Sequence, residues 1–132
     1  MRYTVHWGLD HATRIASSAD LDRLLAFLTT ARGRDGAPYA LDLVPAGDGD
    51  GGLQIGVGHP ERAFVLCLAG GGYGVQPELE PTPEPIAFDC GHDVYDFKPA
   101  WTRVRPATAI RAAHEYVRTG RLPACLTFDP DA

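Results

Sequence analysis

Hydrophobic and polar positions along this chain change period several times, and each change marks an element. Residues 2–8, RYTVHWG, alternate: Tyr3, Val5 and Trp7 share one side, Arg2, Thr4 and His6 the other. Period two with one apolar side predicts a half-buried strand. LDHA then makes a turn, and TRIAS (13–17) returns as the second arm of a hairpin. The period lengthens in SSADLDRLLAFLTTARG, where Leu21, Leu24, Leu25 and Leu28 fall at i, i+3, i+4 and i+7. That spacing lays one apolar stripe along a helix. Ser17 or Ser18 can cap its first amides, and Asp20 and Asp22 lie at the positive end of its dipole. Arg32 is expected in the last turn, with Gly33 as a left-handed stop.

Alternation resumes in PYALDLVPA (38–46) and in LQIGVGH (53–59), with the glycine-rich GDGDGG (47–52) as a connection. AFVLCLAG (63–70) is a continuous apolar run, which suits a central strand covered on both faces. The three predict an antiparallel meander. GGYGVQPELEPTPEP (71–85) is so rich in glycine and proline that regular structure is not expected. IAFDCGHDVYDF (86–97) suits one more strand and its exit. RPATAIRAAHEYVRTG predicts a second helix, with Pro106 in its first turn and Ala109, Ile110, Ala113, Tyr116 and Val117 on its buried side. Gly120 ends it, Leu122 can fold back on its last turn, and Pro123 prevents continuation before a short final strand, ACLTF (124–128). No regular βαβ alternation is present. The expected class is α+β: a single mostly antiparallel sheet covered on one face by two helices.

The 132 residues suit one domain, 1–132, large enough to bury about two-thirds of its unfolded surface. The net charge of −5 argues against a nucleic-acid binder, which needs a basic face for phosphates. MRYTVHWGLD does not read as a signal peptide, and no stretch has the length of a membrane span. Cys67, Cys90 and Cys125 are odd in number and widely spaced, so reduced thiols in a cytoplasm are expected.

Candidate chemistry is sparse. FDCGHD (88–93) offers Cys90 as a nucleophile and His92 as a base, with Asp89 or Asp93 to orient the imidazole. Spacing alone sets no attack geometry, and a metal would need further ligands that no second C-x-x-C or H-x-x-x-H supplies. No metal or cofactor is expected. GGGYG (70–74) resembles a phosphate cradle, but no helix follows and Glu78 is near, so a turn fits better. His6, His11 and His114 are scattered and suit surface or edge positions. Trp7 suits the core, while Trp101 suits either a packed helix entry or an exposed anchor.

Charge is more informative. Between Arg62 and Lys98 there is no Lys or Arg, while Glu78, Glu80, Glu84, Asp89, Asp93 and Asp96 all fall there. One reading is a solvated loop. The other is an acidic face with Tyr73, Tyr95 and Phe97 as aromatic anchors, suited to a basic protein partner. Glu78, Glu80, Glu84, Asp93, Tyr95, Asp96 and Trp101 are the candidate contacts.

Two stretches carry a family resemblance. YTVHWG followed by SSADLDRLLAFL, and PATAIRAAHEYVRTGRLPACLTF at the other end, resemble the first-numbered immunity protein family of bacterial polymorphic toxin systems. That family usually ends its last strand in tryptophan, and here the position holds Phe128. The resemblance implies an α+β protein that binds a cognate toxin's C-terminal domain and inactivates it in the producing cell, as a monomer or weak homodimer. Toxins linked to the family are often nucleic-acid deaminases. The competing classes are a small cytoplasmic enzyme using Cys90 and His92, and a homodimeric scaffold protein.

Overall fold

The computed structural model describes residues 2–46 and 51–130. It is an α+β fold. The first strands, β1 (Tyr3–Trp7) and β2 (His11–Ile15), form the expected hairpin, with Val5 opposite Thr13. After α1 (Ser18–Thr30) come β3 (Ala40–Pro45), β4 (Leu53–Gly56), β5 (Phe64–Cys67) and β6 (Gly72–Val75). β7 (Ile86–Asp89) and β8 (Val94–Phe97) precede α2 (Pro106–Thr119) and the last strand, β9 (Thr127–Asp129). The large sheet has the order β2-β1-β3-β4-β5-β6-β9, and every pairing in it is antiparallel. The meander β3-β4-β5 is present as expected. The connection at residues 47–50 lies outside the described residues.

One face of this sheet carries both helices. Val5, Leu41, Leu43, Leu53, Ile55 and Val65 point to it and form one core with Leu21, Leu25 and Leu28 of α1 and Ala109, Ala112, Ala113 and Val117 of α2. Full burial of each leucine is worth about 1.5–3 kcal/mol. Ser17, not Ser18, caps α1: its hydroxyl accepts from the Asp20 amide at 3.1 Å, and the Asp20 carboxylate accepts from the Ala16 amide at 3.0 Å. The two bonds resemble a capping box reached one residue further back, and the Ala16 amide first of all holds the Asp20 carboxyl below the usual range. His114 bridges the helices, with Nδ1 3.1 Å from the Ser18 hydroxyl and Nε2 2.6 Å from Asp22. Asp22 is largely exposed, so the pair contributes about 0–1 kcal/mol.

The sequence expectations need correction at five places. The end of α1 is not a left-handed glycine. Ala31 is extended, and Arg32 lies beyond the helix, where its guanidinium donates to the carbonyls of Thr29, Ala31 and Gly58. Gly33 is required for another reason: a Cβ there would collide with the Asp89 carboxylate and the Tyr39 ring. Residues 71–85 are not wholly irregular, because Gly72–Val75 pairs on both sides as β6. Residues 86–97 are not one strand but a two-stranded ribbon, β7-β8, separate from the large sheet. Leu122 does not fold away and remains exposed. The expected stop at Gly120 is present, with φ of 70° and its amide donating to Tyr116 at 2.7 Å. β9 then pairs with β6, so the terminal strand extends the sheet beyond β6.

Candidate functional site

The helix-free face of the sheet follows from the same alternation that builds the core. Residues between the core-facing positions must point the other way. The register aligns His6, Asp42, Gln54, Leu66 and Tyr73 in one row across β1, β3, β4, β5 and β6. The row is polar at the β1 end and apolar at the β6 end. The β7-β8 ribbon packs over the neighbouring row, Ala40, Gly56 and Phe64, through a second core of Ala40, Phe64, Ile86, Phe88 and Phe97. Phe64 stacks on Phe97 at 4.1 Å and meets Phe88 edge-on at 5.1 Å. Geometries of that kind add about 0.5–1.5 kcal/mol per pair to the area buried.

Asp89 anchors the ribbon. It is buried, its carboxylate accepts from the Arg34 amide at 2.7 Å and the Gly91 amide at 2.8 Å, and its own amide donates to Pro38. Sequence reasoning placed Asp89 among the surface acids; it is a structural tie. The ribbon's turn is closed by Cys90 N–H donating to the Asp93 carbonyl and Val94 N–H donating to the Asp93 carboxylate. Gly91 packs against the Gly8 carbonyl of the first hairpin, so close that a Cβ would stand 2.5 Å from it.

A groove remains beside the ribbon. One part, of about 410 Å³, is lined by Gln54, Tyr73, Cys90, Tyr95, Asp96, Phe97 and Trp101. A second part, of about 280 Å³, adjoins it at Cys90 and is lined by His6, Asp42, Ala40 and His92. Trp101 packs against the second core. Its ring stacks on Tyr73 at 4.9 Å, Lys98 Nζ lies 5.1 Å from its centre, and it still lines the groove. Tyr95 is opposite Phe88 in the ribbon, hence on its inward side, yet it is 54% exposed.

The candidate contacts divide into two groups. Asp96, Tyr95 and Trp101 line one groove, and Asp93 is exposed on the ribbon's turn near it in sequence. Glu78, Glu80 and Glu84 are exposed on residues 76–85 and do not line it. That segment is not loose: Arg103 donates to the carbonyls of Pro77 and Leu79, and the Gln76 side chain accepts from the Arg105 amide at 2.7 Å. Asp42, His6 and Gln54 were missed. Asp42 is flanked by Leu41 and Leu43, and a carboxylate breaking an apolar run was the available signal.

Burial pushes the Asp42 carboxyl above the usual carboxylate range, opposed by the Gln54 amide 3.1 Å away and by His6. Burial also pushes the Cys90 thiol up to about 11, helped by Asp42 and Asp89. Its Sγ donates to the Phe88 carbonyl, and no hydrogen bond joins it to His92. A thiol so held is a poor nucleophile, since the thiolate is the reactive form. Among the described residues no group of three His, Cys, Asp or Glu side chains is placed to hold a metal ion. No helix there is long and apolar enough to cross a membrane.

The family model described as Immunity protein Imm1 matches residues 10–130. The chain belongs to the Imm1 family. No curated protein matches the chain. The Imm1 match takes in β2, both helices, the ribbon and the terminal strand, and leaves out β1. At Phe128 of β9, opposite Gly74, the ring packs against the helix-side core, so that position serves the Imm1 scaffold rather than the groove.

Proposed function

We propose that this chain is a cytoplasmic immunity protein that binds the C-terminal domain of a cognate toxin and neutralises it by occluding its active site. The observation that carries this is the Imm1 match across residues 10–130. The groove and its exposed acids support it. Tyr95, Asp96 and Trp101, with Asp93 on the adjacent turn, combine aromatic anchors with carboxylates that attract a basic partner. Glu78, Glu80 and Glu84 extend the acidic stretch and steer the encounter. A toxin acting on nucleic acid, such as a deaminase, needs a basic substrate groove, and carboxylates there take the place of phosphates. Inhibition is stoichiometric, and no cofactor takes part.

The test is a pull-down of the tagged protein with the toxin domain encoded beside it, paired with a protection assay in cells expressing that toxin. Tight binding with protection is expected. Glu84→Lys and Asp93→Lys together are expected to weaken it. Binding by both variants equal to wild type would remove these two acids from the interface, and no binding by the wild type would remove the immunity reading itself.

A further inference from the structure

We propose that the groove on the helix-free face receives a cationic side chain of the toxin domain, an arginine or lysine at the tip of a loop, with Asp42 as its receptor. The proposal rests on the immunity reading above and adds the place and chemistry of the contact. Asp42 is half-buried in the sheet row between His6 and Gln54. Its carboxylate accepts one hydrogen bond, from Gln54, although two oxygens can accept about four. Among the described residues no ion pair reaches it. Two cations beside groove-lining residues are engaged elsewhere: Arg34 donates to the His92 carbonyl at 2.9 Å, and Lys98 lies over the Trp101 ring. His6 is exposed and makes no hydrogen bond to Asp42.

The route to Asp42 is also built for a cation. Asp96 borders the groove, opposite Ala87 in the ribbon, and makes no ion pair among the described residues. Tyr95, on the inward side of the ribbon but uncovered, and Trp101 supply aromatic surface. A guanidinium lies flat on such rings and pairs with a carboxylate through two parallel N–H donors. The occupant is a basic protein. A nucleic acid would bring phosphates to these carboxylates, and a second copy of a chain with net charge −5 would bring like charge.

The experiment is calorimetric titration of the neighbouring-gene toxin domain into wild type, Asp42→Asn and, as a control on the opposite face, Asp22→Asn. Asn keeps the acceptor for Gln54, so Asp42→Asn is expected to fold, which a thermal melt checks. Affinity is expected to fall about thirtyfold or more for Asp42→Asn and to hold for Asp22→Asn. Alanine replacement of each arginine and lysine of the toxin domain is then combined with Asp42→Asn. One cation should lose its effect in the Asp42→Asn background. If wild type binds and Asp42→Asn binds equally well, the groove contact is wrong and the immunity reading stands. If Asp42→Asn weakens binding but couples to no cation, the receptor role is likewise overturned. If wild type does not bind, both fall together.

Discussion

The two faces of the large sheet are built from the same strands by the same alternation, yet they are finished differently. On the helix side, Val5, Leu43, Leu53 and Ile55 are fully buried beneath Leu21, Leu25 and Leu28 and the small side chains of α2. Alanines at 109, 112 and 113 let α2 approach the sheet closely, and little unpaired polarity remains there. On the other side, the ribbon covers the row of Ala40, Gly56 and Phe64 and leaves the row that carries Asp42 and Gln54 partly open. One face is finished by packing within the chain. The other keeps a half-buried carboxylate whose ionised form burial disfavours, and an exposed tyrosine. Groups held at a cost to stability are candidates for function.

The largest effects should come from cutting each face at its centre. Phe88→Ala is expected to destabilise the protein by about 3–5 kcal/mol, and Leu25→Ala by about 2–5 kcal/mol, in urea unfolding. The two should differ in binding. Leu25→Ala should leave the affinity of the folded fraction for the toxin domain unchanged, whereas Phe88→Ala should weaken it because the ribbon forms one wall of the groove. Equal affinity for both would break the division of labour between the faces.

A pH series sharpens the same contrast. The Asp42 pKa is raised in the fold by burial, so its ionised form is disfavoured there. Below the ordinary carboxylate range both states are protonated and no cost exists. As pH rises through that range and the folded pKa, the unfolded state ionises more readily and stability is lost. Asp42→Asn should therefore melt at the same temperature as wild type in acid and at an equal or higher temperature at pH 7. A lower melting temperature at pH 7 would make Asp42 a stabilising residue and remove the contrast. The smallest effect is local: Ser17→Ala should cost about 1 kcal/mol through the helix cap, with toxin affinity unchanged.

Much of the scaffold was legible from residues that act on their neighbours. The leucine stripe of α1, Pro106, Gly120 and the alternation of β1, β3 and β4 each work within a few positions of the chain. Misreadings arose where the deciding partner was distant. Gly33 looked like a helix stop because glycine often is one, but its demand comes from Asp89, 56 positions along the chain (89 − 33). The candidate site divided for the same reason. Tyr95, Asp96 and Trp101 were visible as an acid-and-aromatic pattern, while Asp42 was hidden inside a good strand.

Local patterning by itself determined the α+β class, the two helices and their buried faces, the antiparallel meander and the acidic stretch without a counter-charge. Periodicity and capping are short-range effects, and they survive reading one residue at a time. Tertiary structure alone decided that residues 86–97 double back as a ribbon, that this ribbon covers one row of a sheet face, and that Asp89 is a tie while Asp42 faces a groove. Those outcomes depend on strand register and on backbone contacts between segments far apart in the chain, where a one-residue slip would turn every side chain to the opposite face.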